Sequence, residues 1–166
     1  IVFILDVYTR KIMGYNVSSN MRHESNIKAL KMALKQINPK ERNNMIHHSD
    51  RGSQYGSKSY VKILNDSGIK ISMGLKAQEN AYAERINGTI KNEYLKLWNI
   101  NDYKDLKIKT RKAVKHYNTK RGHSNLPNGI SPNQFEELLL NLNTQERPKV
   151  IIYADGNYKI KVASSH

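Results

Sequence analysis

The stretch HHSDRGSQYGS at residues 47–57 crowds two histidines, Asp50, Arg51 and Ser53 together, so metal, nucleophile and phosphate chemistry are all open to it. Asp50 closes a short apolar-then-histidine run that reads as a strand. A carboxylate at the C-terminal end of a strand is aimed into the crevice where α/β sheets place ligands. The same residue type also caps bends, here Arg51-Gly52, and both roles stand at this point. A second acid, Glu84, lies in ENAYAERINGTIKNEYL, in the first turn of a helix, where it also suits the helix dipole. In projection Asn87 lies about 60° and Lys91 about 20° from Glu84 on a regular helix. Gly88 leaves the surface between them open. Carboxylate, amide, bare backbone and lysine on one face suit a metal-bound phosphodiester better than a core.

Two carboxylates from different elements are what a magnesium site in phosphoryl transfer needs, since magnesium takes hard oxygen ligands and keeps waters. Paired metals activate the attacking oxygen and stabilise the leaving one, and such sites normally use a third carboxylate. Other chemistries fit less well. His47 and His48 are adjacent and on a strand point to opposite faces, and no cysteine or spaced histidine joins them, which disfavours zinc. Ser53 lacks a G-x-S-x-G elbow, and neither a Walker-type loop nor G-x-G-x-x-G occurs.

The elements that must position these residues follow from periodicity. IVFILDVY reads as a strand buried on both faces, RKIMGYNVS as a second strand, with Thr9-Arg10 as the hairpin turn between them. Residues 24–37 form a helix with Ile27, Leu30, Leu34 and Ile37 on one face and lysines on the other. NMIHH is a strand after the Pro39 break. Ser57 caps a helix carrying Tyr60, Ile63 and Leu64 inward, and Gly68 stops it. IKIS is a further strand, and MGLKAQEN reads as a mobile loop. From Asn80 the period is helical, with Ala83, Ile86, Ile90, Tyr94 and Leu97 as the buried stripe. Helices over 102–117 and 132–140 and a hairpin in VIIYADGNYKIKV complete an α/β layout.

The 166 residues fit one domain of ordinary size, and 28 Lys and Arg against 14 Asp and Glu give a net charge of +14. The basic residues are spread along the chain, favouring a folded polyanion-binding surface over a basic arm, although charge alone also serves solubility. The absence of cysteine excludes disulfides and is compatible with a reducing compartment. The opening IVFIL is too short for a bilayer span and has no basic leader. A start at Ile1 points to a fragment whose upstream part is missing.

With these residues in place, the sequence resembles the catalytic core of insertion-sequence transposases related to retroviral integrases, the DDE type. The blocks DVYTRKIMGY, HSDRGSQYGSKSY, GIKISM, NAYAERINGTIKNEYL and HYNTKRGHSNLPNGISPNQFEE fall in that family's order over nearly all of residues 1–140. The resemblance implies a ribonuclease H-like mixed sheet flanked by helices, with a core over 1–141 and a tail over 142–166. It implies a polynucleotidyl transferase that cuts and joins DNA strands in transposition, using Mg2+ or Mn2+ held by Asp50 and Glu84, the second and third family acids, with thirty-three residues between them. Lys91 falls on the family's DNA-contacting lysine, and Asn87, Arg85, Lys58, Lys62 and Lys76 are expected beside it on the DNA surface. Transposon ends and target DNA are the implied partners, with a homo-oligomer as the active complex, in the cytoplasm and without a membrane.

The departures are as informative. The family's first acid sits on a strand upstream of IVFILDVY, and Asp6 matches a separate Asp before the Tyr-Thr-Arg turn. The expectation is a sheet lacking its central first strand, interrupted between the strand of residues 1–8 and the strand leading to Asp50. The chain alone is then inactive and poorly stable, and Asp155 in the late hairpin is not expected to substitute for the missing acid. Gly122, where the family has proline, is expected to loosen its loop. Two rival functions remain: a non-catalytic DNA-binding remnant, and a related metal nuclease that only hydrolyses.

Overall fold

The computed structural model describes residues 1–19, 23–50, 52, 55–74, 81–148, 150–154 and 159–163. The chain divides into two compact units, Ile1–Ile4 with Met13–Gly88, and Leu5–Ile12 with Thr89–His166. The described strands form three two-stranded sheets: β1 (Val2–Leu5) with β2 (Ile12–Asn16), β3 (Ile46–Ser49) with β4 (Lys70–Met73), and β5 (Val150–Ala154) with β6 (Lys159–Ala163).

In the first unit, β2 approaches α1 (His23–Leu34) closely. A side chain at Gly14 would collide with the carbonyl oxygen of Ala29 and come within 2.9 Å of the Ala33 nitrogen. The absence of a Cβ therefore sets the spacing of strand and helix. Helix α1 is shorter than its apolar period suggests. It ends at Leu34, and the Arg42 guanidinium, from a 3-10 turn over Pro39–Asn44, donates to the Leu34 carbonyl at 2.6 Å. Ile37 falls in the turn that follows, only half-buried.

Next come β3 and α2 (Lys58–Asp66), then β4, which returns parallel to β3. Ser57 caps α2 by accepting from the Tyr60 N–H at 3.4 Å, and Gly68 ends it with φ +72°. Leu30, Leu34, Tyr60, Leu64 and Ile69 make the core of this unit, so the crossover helix is buried against α1. Residues 81–89 form α3, whose buried residue is Ile86.

In the second unit, the chain turns earlier than the apolar run suggests. The Asp6 carboxylate accepts from the Tyr8 N–H at 3.0 Å and the Thr9 hydroxyl at 2.6 Å, so β1 ends at Leu5 and its residues are only half-buried. Arg10 takes up the left-handed bend, φ 64°. Asp6 is thus a turn residue. Beyond α3 the helix passes into a π segment, Ile90–Leu95. Ile90 and Tyr94 are buried, but Leu97, expected on the same stripe, is 75% exposed. The wider π turn breaks the 3.6-residue phase on which that expectation rested.

Helix α4 (Tyr103–Thr119) starts at an Asp102 cap and buries Thr110, Ala113, Val114 and Tyr117. The Asn118 amide pairs with both backbone groups of Ile12, at 2.9 and 3.0 Å, satisfying an exposed strand edge as a neighbouring strand would. Helix α5 (Pro132–Leu140) opens with a complete capping box, Ser131 and Gln134, and packs Phe135 and Leu139 with Leu126 and Tyr8. At Gly122, expected to loosen its loop, a Cβ would lie 2.5 Å from the Gly129 carbonyl oxygen, and the neighbouring His123 N–H donates to the Ile130 carbonyl at 3.2 Å. The glycine permits a tight closure. β5 and β6 form the expected antiparallel pair, while its turn, with Asp155, lies outside the described residues.

Candidate metal centre and nucleic-acid surface

Asp50 follows directly on β3, as its apolar-then-polar run predicts. The parallel ladder pairs Ser49 with Met73, and the Gly74 N–H donates to the Ser49 carbonyl at 2.9 Å, so the backbone beneath Asp50 is held by β4. One carboxylate oxygen of Asp50 accepts from the Gly52 N–H at 2.9 Å. The bend-capping role is therefore real. It also fixes the carboxylate's direction while using a single oxygen. Asp50 is half-buried.

The inward face of β3 carries His47. Its Nε2 lies 3.1 Å from the Tyr60 hydroxyl, and its ring centroid stands 5.5 Å from that of Tyr60 and 6.4 Å from that of Tyr55. Burial, with the neighbouring charge of His48, lowers the His47 pKa to about 4. Burial first, and then the negative charge of Asp50, push the Tyr55 phenol above its ordinary range. Tyr55 is thus within electrostatic reach of Asp50, on an aromatic floor of Tyr55, Tyr60 and His47. His48 points the other way, exposed, with Nδ1 3.2 Å from the Ser72 hydroxyl of its ladder partner. The two histidines share no ligand. Sequence reasoning set Tyr60 inward but missed the floor; the period-2 position of His47, opposite to His48, was the available signal.

Glu84 stands exposed in the first turn of α3, in the same compact unit as Asp50. Asn87, expected to share its face, donates its side-chain amide to the Ala83 carbonyl at 2.8 Å. Arg85 and Lys58 are exposed, and Lys62 is exposed but paired with Asp66 at 3.0 Å. Lys91 is exposed in the π segment, so the projection linking it to Glu84 on a regular helix ends before reaching it. Lys76, Arg51 and Ser53 lie outside the described residues. Among the described residues no group of three His, Asp or Glu stands together as a metal site. Asp50 and Glu84 are nevertheless hard oxygen donors, and one or two carboxylates completed by substrate phosphate and water are a set magnesium accepts.

The second unit holds a polar lock that local sequence patterns do not reveal. Arg121 makes a two-pronged contact with Glu93, Nε to Oε2 at 2.6 Å and Nη2 to Oε1 at 2.8 Å. The Arg121 hydrogen bond holds the Glu93 carboxyl below its usual range. Tyr94 Oη lies 3.0 Å from His116 Nδ1, and the Tyr117 ring meets His123 edge-on with centroids 4.7 Å apart. Burial and the charges of Arg121 and Arg10 lower His123 to about 4. No helix among the described residues is long and apolar enough to cross a membrane.

Two family models, both described as integrase core domain, match residues 1–78 and 66–132. The insertion element IS600 uncharacterized 31 kDa protein of Shigella sonnei is 42% identical over 137 residues, covering 81% of this chain and 49% of that protein. A putative transposase for insertion sequence element IS986/IS6110 of Mycobacterium tuberculosis is 33% identical, covering 73% of this chain and 46% of the relative. The chain spans about half the length of these curated relatives. Among solved structures, the catalytic core domain of HTLV-2 integrase, in a trimeric form in complex with magnesium, superposes with a TM-score of 0.59 at 19% identity. That match covers 78% of this chain and 79% of the other, and it shows a shared fold.

Proposed function

We propose a function from one premise: the chain belongs to the integrase core domain family. The reading is the core of an insertion-sequence transposase, which cuts and joins DNA strands by metal-dependent phosphoryl transfer. The observation that carries it is Asp50 at the C-terminal end of a strand in a parallel pair, with an exposed Glu84 on α3 of the same unit.

Asp50 and Glu84 would hold Mg2+ or Mn2+, which when bound activates the attacking oxygen and stabilises the leaving one. Asp50 is directed by its bond from Gly52, and the Tyr55–Tyr60–His47 floor supports its strand. Arg85, Lys58, Lys62, Lys91, Asn87 and Lys76 are assigned to the DNA phosphates. Transposon ends and target DNA are the substrates, a homo-oligomer the active form, the cytoplasm the compartment, and residues 142–166 an appended tail.

The test is made in the full-length parent protein. Asp50→Asn and Glu84→Gln should each abolish strand cleavage and joining and leave duplex binding nearly unchanged, because each removes a metal ligand and little phosphate-contacting surface. Near-native cleavage by either variant removes that residue from the site. A second reading is a DNA-binding remnant without catalysis. A parent that binds duplex but never cleaves it would establish that reading.

A further inference from the structure

Helix α4 carries Lys104, Lys107, Lys109, Arg111, Lys112 and Lys115 against a single acid, Asp105. Lys109 is spent on Asp105 at 2.6 Å. Lys104, Lys107, Arg111 and Lys115 are all exposed, and none forms an ion pair among the described residues. On a regular helix these four fall within about 80° of the circumference and extend over about 16 Å. Repulsion along such a row weakens the helix slightly, so the row is not explained by helix stability.

The chemistry of this face selects among polyanions. Protein interfaces build on an apolar centre from which charges are depleted, and here charges occupy the centre, with Tyr103 and Ile108 as the exposed large apolar side chains of the helix. A helix lying on a membrane presents a continuous apolar side to lipid, but Ala113, Val114 and Tyr117 are buried in the helix's own unit, and the exposed Tyr103 and Ile108 do not make such a side. Single-stranded nucleic acid needs a run of open aromatic platforms, whereas this helix offers one exposed aromatic, Tyr103, with the Lys107 ammonium 4.3 Å from its ring centroid. Duplex DNA asks only for regularly spaced cations, offering one charge per about 1.7 Å of its axis.

We infer that the Lys104–Lys107–Arg111–Lys115 face of α4 is a second duplex-DNA contact, distinct from the candidate metal centre and reading phosphates without sequence preference. It rests on the proposed function for DNA as the substrate class. It adds a surface that neither the acids nor the lysines around them supply.

The experiment titrates the full chain with a duplex DNA oligonucleotide across a series of salt concentrations. Replacing the four cations with glutamine should flatten the slope of log affinity against log salt by about three to four units. The comparison is a charge-matched variant, Lys28→Gln, Lys31→Gln, Lys35→Gln and Lys40→Gln, whose slope should stay near the native one. Acetylation of the native chain supplies a readout free of variants: duplex should shield Lys104 and Lys115 from reagent, and single strands should shield them less. An unchanged slope in the α4 variant, equal flattening in both variants, or unprotected Lys104 and Lys115 would each overturn the surface. Such a failure beside cleavage that still depends on Asp50 and Glu84 leaves the proposed function standing; a chain that binds no duplex defeats both.

Discussion

The Nε2 of His47 sits 3.1 Å from the Tyr60 hydroxyl inside the core that supports β3. The hydroxyl is fully buried with the ring, so each group is the other's partner. Tyr60→Phe leaves the imidazole nitrogen unsatisfied and should cost about 1–3 kcal/mol in unfolding free energy, read by urea titration. A loss near zero would mean that water replaces the hydroxyl.

The same burial makes stability depend on pH. His47 and His123 are both lowered to about 4 from an ordinary 6.5, so the unfolded chain takes up protons first. Their contribution is fully present above about pH 6.5 and is lost as pH falls toward about 4. His47→Gln should therefore show a shallower loss of stability over that window than the native chain. Parallel pH profiles would show that His47 takes up its proton equally in the folded and unfolded chain.

Glu93 and Arg121 form a bidentate pair with side chains 46% and 28% exposed. Partial exposure limits its strength, and a double-mutant cycle with Glu93→Gln and Arg121→Gln should give a coupling of about 0.5–1 kcal/mol. A coupling of zero would make it a surface contact without energetic weight.

Gly122→Ala places a Cβ 2.5 Å from the Gly129 carbonyl oxygen. Overpacking of this kind should destabilise by about 1–3 kcal/mol, measured by thermal or urea unfolding. A neutral alanine would show that the loop yields freely.

Lys91→Ala should reduce the magnitude of the salt slope of duplex binding by about one unit if its ammonium neutralises one phosphate. An unchanged slope would leave Lys91 a solvated helix lysine.

Much of this architecture is legible because its signals are local. Ser57 announces a helix start through a side chain that bonds three residues on, and Gly68 announces a stop through its positive φ. Asp50 is legible for the same reason, as the first polar residue past a strand. The Glu93–Arg121 lock and the Asn118 pairing with Ile12 join residues 28 and 106 apart in sequence, and no window of periodicity contains both partners. Asp6 misled the strand boundary because a carboxylate bonding the next two or three positions competes with an otherwise apolar run. The π segment was hidden because its residues are ordinary helix formers; only the hydrogen-bond ladder differs.

That segment has a consequence for insertions and deletions. A π turn accommodates one residue more than the α turn it interrupts, closing the same ladder from i to i+5. Deleting a single exposed residue from it, such as Asn92, should regenerate a plain α-helix and leave the residues downstream on the faces they already occupy. A one-residue gap at this point is therefore compatible with an unchanged apolar stripe beyond it. Counting residues from Glu84 toward the C-terminus is then a poor guide to equivalence, and the hydrogen-bond ladder is the better ruler.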